Sequence, residues 1–98
     1  MNIVLQNKFP LKVKITKNLI KEGKKSLFDV TNCIGARALR KGLKVPHSPN
    51  YRWGRMNGHI HLGDDSITLK SFDLNGNKID VMEIKEPCEI IFKVRYNG

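Results

Sequence analysis

Residues able to do chemistry fall into four groups here: two histidines two apart, two cysteines, adjacent aspartates, and a high density of cations. On a strand, His59 and His61 would face the same side, a geometry that can hold a metal ion. Cys33, Cys88, His47 and Asp64 would be the further ligands, but no C-x-x-C or H-x3-H spacing accompanies the pair. No metal is expected, and His59 and His61 read as surface residues of an edge strand. Asp64-Asp65 follow a glycine and read as a solvated turn rather than an acid–base pair. Cys33 lies near an expected helix start, beside Arg37 and Arg40 on the helical wheel. That setting would favour a reactive thiolate, but the expectation is an inert thiol where helix meets sheet. A Gly-rich phosphate loop, a nucleophile elbow and H-E-x-x-H are all missing from the sequence. The expectation is a binding protein, not an enzyme, with no cofactor.

The cations carry the strongest signal. The 98 residues include 18 Lys and Arg against nine Asp and Glu, a net charge of +9. Residues 1–55 hold 13 basic and two acidic side chains, and residues 56–98 hold five and seven. One half is cationic at +11 and the other is balanced at −2. Such asymmetry points to nucleic acid, nucleotide or an acidic protein as partner. Tyr51-Arg52-Trp53-Gly54-Arg55 interleaves aromatic rings with arginines, as surfaces that stack on bases and grip phosphates do. Trp53 has a second reading, as an anchor that pins this segment to the core. The candidate partner-binding residues are Arg37, Arg40, Lys41, Lys44, Tyr51, Arg52, Trp53 and Arg55.

Periodicity supplies the elements that position them. Leu11, Val13 and Ile15 alternate with Lys12, Lys14 and Thr16, a half-buried strand over 11–16. Residues 3–5 give a weaker strand signal. Thr16 or Asn18 can cap one helical turn that Gly23 ends. A helix is predicted over 32–41, capped by Thr31 and stopped by Gly42. Ile34, Ala38 and Leu39 share its core side, and Arg37, Arg40 and Lys41 share the other. On that basis Arg37→Ala with Arg40→Ala should leave the fold intact. Pro46, Pro49 and Asn57-Gly58 make 43–58 an irregular loop. Strands follow at 59–62, 66–72, 78–84 and 88–96, with a hairpin turn at Asn75-Gly76. In the last strand Ile90, Phe92, Val94 and Tyr96 alternate with Lys93 and Arg95. The predicted class is α+β, one main helix packed on a four- to five-stranded, mainly antiparallel sheet, in a single domain over 1–98. No apolar run approaches the ~20 residues of a membrane span, and no signal peptide opens the chain. A cytoplasmic protein with two reduced cysteines is expected.

Thr16-x-x-x-Ile20-x-x-Gly23, Asn32-Cys33-Ile34-x-Ala36-x-Ala38-Leu39 and Phe72-Asp73-x-x-Gly76 together resemble a group of small phage-encoded proteins. Those proteins share a strand, a T-x-x-x-I-x-x-G turn, a helix opening Cys-Pro-x-Ala-x-Ala-Leu and an F-D-x-G segment. Ile34 stands here at the proline position, and Gly76 comes one residue late. The resemblance spans about 60 residues and implies a phage origin, hence the host-cell cytoplasm. The group's function is unassigned, so the resemblance implies origin; the small, lysine- and asparagine-rich type leads to the expectation of a host-takeover or anti-defence protein, for example an anti-CRISPR, that binds an anionic protein or nucleoprotein. Direct nucleic-acid binding is the alternative, and a nucleotide-binding or small hydrolytic protein a remote one.

Overall fold

The computed structural model describes residues 6–95. Chain order is β1 (Leu11–Ile15), α1 (Lys17–Lys24), α2 (Ile34–Leu43), β2 (Tyr51–Gly54), β3 (Asn57–Leu62), β4 (Asp65–Phe72), a 3-10 turn (Val81–Glu83) and β5 (Cys88–Val94). The five strands form one antiparallel sheet in the order β1-β5-β4-β3-β2. Both helices cover one face of it. This is the α+β architecture expected, with a second helix beside the main one. Among the described residues no helix is long and apolar enough to cross a membrane.

Alternation sets the inner face. Val13, Ile15, Trp53, Ile60, Ile67, Leu69, Ile90 and Phe92 are buried beneath the helices. α2 contributes Ile34, Ala36, Ala38, Leu39 and Leu43, and α1 contributes Leu19 and Ile20. Burial of such side chains is worth about 25 cal/mol per Å² of apolar area, and it supplies the main drive to fold. The helices touch where Gly23 meets Ile34: a Cβ on Gly23 would lie 2.5 Å from Ile34 Cγ1.

Thr16 caps α1 as its type suggests, its hydroxyl accepting from Leu19 N at 3.2 Å. The helix makes two turns rather than one, since Gly23 lies inside it.

α2 begins at Ile34 and not at Asn32, for a local reason. Thr31 donates its N–H (2.9 Å) and its hydroxyl (2.7 Å) to Asp29 Oδ1, which occupies the expected cap. Cys33 becomes the N-cap residue, with no side-chain bond. At the other end Gly42 stays helical, where α2 crosses β1. A Cβ there would come within 2.5 Å of Val13 Cγ2. Lys44 takes the left-handed position, φ 59°, that ends the helix.

Two further expectations change. Residues 43–58 are not wholly irregular, because Tyr51–Gly54 form β2, paired with β3. Its outer side is also engaged, Trp53 N donating to Val30 O at 2.8 Å. The 78–84 segment is not a strand. β4 is already paired with β5 over Leu69–Phe72 and with β3 over Asp65–Leu69. Only its end is open to the returning chain, which makes one bridge, Phe72 to Lys78. Ser71 then donates its hydroxyl to Ile79 O at 2.7 Å, and Asp80 Oδ1 accepts from Met82 N at 3.0 Å to open the 3-10 turn. The turn at 73–77 is present, with Gly76 at φ 88° and Asp73 Oδ1 accepting from Asn75 N and Asn77 N. The weak strand at 3–5, and Tyr96 at the end of the last one, lie outside the described residues.

Candidate anion-binding groove

The turn before α2 organises the site. Asp29 accepts from Thr31 and also from Asn32 Nδ2, at 2.9 Å. These bonds, led by that of Asn32, hold the Asp29 carboxyl down at about 2. The chain then passes through Thr31 and Asn32, whose carbonyls become acceptors for α2. Arg37 Nε donates to Asn32 O at 2.7 Å, and Arg40 Nη1 donates to Thr31 O. On the next turn Lys41 Nζ donates to Lys14 O at 2.7 Å. Three cations of α2 are thus steered by main-chain oxygens. A guanidinium has five N–H donors, so one such bond leaves most of its hydrogen-bonding capacity for a ligand.

These side chains line one groove of about 470 Å³. Arg37, Arg40, Lys41, Lys44 and Val45 form one wall, and Thr16, Asn18, Leu19 and Glu22 of α1 form the other. Glu22, the one acid of the lining, is ion-paired to Lys25 at 3.3 Å. Burial disfavours the charged Arg40 guanidinium first, and the Arg37 charge disfavours it second. The groove therefore assembles positive charge at a cost that a bound anion would relieve.

The predicted set does not form one surface. Arg37, Arg40, Lys41 and Lys44 come together in the groove. Tyr51 is half-buried against the core. Trp53, expected to face a partner or to anchor the segment, is an anchor, only 2% exposed. Its ring lies between Gly35 of α2 and Gly58 of β3, neither of which has room for a Cβ, and 5.2 Å from the Phe92 ring centroid. A base has no access to it. Arg52 alternates with Trp53 and is exposed on the opposite, outer face of the sheet. Arg55 is exposed in the β2–β3 turn, with φ 53°.

The other chemical candidates are placed as follows. His59 and His61 share the outer face, ring centroids 6.2 Å apart. Their strand is not an edge, since β2 lies beyond it. Burial lowers the His59 pKa, and His61 and then Arg52 add to that. Among the described residues, no three His, Cys, Asp or Glu side chains gather to hold a metal ion. Cys33 is buried, with its thiol 3.6 Å from Trp53 O, and burial pushes its pKa up, away from a reactive thiolate. Cys88 is exposed, and both cysteines are free thiols.

Sequence reasoning missed a second cationic surface, the outer face of the sheet. Lys70 stands opposite Lys93 in the β4–β5 ladder, and one row on Thr68 stands opposite His59, which faces Arg52. Arg95 N donates to Thr68 O at 2.7 Å, so Arg95 extends that row. The exposed parity of Lys93 and Arg95 was legible; their lateral neighbours depend on strand order and were not. No family model matches this chain, and no curated protein or solved structure does either.

Proposed function

We propose that this chain is a non-catalytic binding protein that docks its α1–α2 groove on an acidic surface of a protein or nucleoprotein. A phage host-takeover or anti-defence role would use such a surface. The observation that carries the reading is the groove itself. Arg37, Arg40 and Lys41 are pre-oriented by main-chain carbonyls around one concavity whose single acid is already paired. Preorganised cations lose little freedom when an anion arrives, which favours binding over mere solubilisation. Lys44 adds to the case. It holds a left-handed backbone position that glycine occupies at lower cost, while its side chain lines the groove.

The test is paired co-purification from a bacterial host, using the tagged protein and its Lys41→Glu, Lys44→Glu variant. A partner retained by the parent and released by the variant, which still melts cooperatively, is expected. Identical retained partners in both preparations would remove the groove from the account.

A further inference from the structure

We infer that the outer face of the sheet is a separate binding surface, which takes a single-stranded nucleic acid across Arg52, Lys70, Lys93 and Arg95. It goes beyond the groove reading and shares none of its residues. Lys70 and Lys93 are directly opposite in the β4–β5 ladder, where like charges destabilise a sheet. Lys78 lowers the Lys70 pKa most, followed by partial desolvation and then by the Arg95 charge. A fold that places cations against each other leaves a surface that an anion stabilises. Among the described strand residues of this parity, Glu89 is the one acid, and it is paired to Lys12 at 3.6 Å.

Spacing and ring content point to the class of anion. Residues two apart in extended chain are separated by about 6.7 Å, so Lys93 of β5 and Arg95, one residue past its end, repeat the charge at that interval. Flat rings lie among the cations. The His59 and His61 rings are stacked side by side, and Lys93 Nζ sits 5.1 Å over the Phe72 ring centroid. Regular charge with interleaved π-faces suits a chain that alternates phosphates and bases. A duplex keeps its base faces inside its own stack, whereas a single strand presents them. An acidic protein surface would use the lysines and leave the histidine rings without a role.

The experiment is fluorescence anisotropy of the purified chain with labelled oligo(dT) and oligo(U) of about 16 nucleotides, and with a duplex of equal length. Single strands of one or both sugars are expected to bind more tightly than the duplex. Replacing Lys70, Lys93 and Arg95 with Gln should weaken that binding at least tenfold and make the log–log salt slope shallower by about 2, at ~0.7 per lost phosphate contact. A Lys41→Gln, Lys44→Gln groove variant should change affinity by no more than about threefold, through net charge alone. Lys70→Gln should melt no lower than the parent, because its repulsion by Lys78 and Arg95 is removed. If the triple variant melts lower, Arg52→Gln, an exposed side chain, is the substitute and should still weaken binding. Absence of single-strand binding at low salt, preference for duplex, or loss in the groove variant alone would each overturn the inference.

Discussion

Two glycines on different elements settle which reading of Trp53 applies. Nothing within Tyr51–Arg55 separates a base-stacking ring from an anchor, because the deciding residues, Gly35 and Gly58, lie outside that segment. Trp53→Ala should lower stability by about 3–5 kcal/mol, as large-to-small changes in a packed core do. Chemical denaturation checks this, and unchanged stability would mean that the ring is not in the core. Arg37 and Arg40 require a similar correction. Each ties α2 to the preceding turn, so removing both costs stability as well as charge. Lys41 Nζ also ties α2 to Lys14 O, but that bond is exposed, so charge variants at Lys41 and Lys44 are the cleaner probes. Asp29 makes the same turn sensitive to acid. Its folded pKa of about 2 lies below its unfolded value, so its contribution is complete above the unfolded pKa and is lost as pH falls towards 2. Asp29→Asn should therefore flatten the fall in melting temperature between about pH 4 and pH 2. A parallel fall in parent and variant would contradict this.

Local pattern predicted the elements whose partners hardly matter. β1 and β5 alternate cleanly, and α1 is announced by Thr16. The pattern failed where a neighbour decides. β2 is four residues long, lies close to Pro49 and owes its pairing to β3 and Val30. Residues 78–84 have strand-like composition but find only the end of β4 unpaired. The ends of α2 moved because Asp29 engages Thr31 and because Gly42 lies against β1. The groove was half legible: α2 displayed its cations on one side, while the α1 wall required the tertiary fold. Lys44 gives a test at this scale. Lys44→Gly should raise stability by about 1 kcal/mol by relieving the left-handed backbone, and should weaken partner binding. Gain in both properties would mean that the side chain has no part in the groove.

Across the molecule, charge is sorted by face more than by chain half. The cations of α2 gather in the groove, and Arg52, Lys70, Lys93 and Arg95 share the outer sheet face. Asp73, Asp80, Glu83, Glu86 and Glu89 line a separate hollow of about 540 Å³ beside the 3-10 turn. The balanced C-terminal half is therefore balanced only on average, with five of its acids gathered at this hollow. The field of such a molecule steers anionic partners towards two of its sides, with a rate that falls as salt rises. The most direct measurement of the groove claim is a hydrogen-exchange footprint of the chain, free and bound to the partner retained in co-purification. The account predicts slowed exchange in 16–22 and 37–45. A footprint confined to 73–89, with those two segments unchanged, would contradict it.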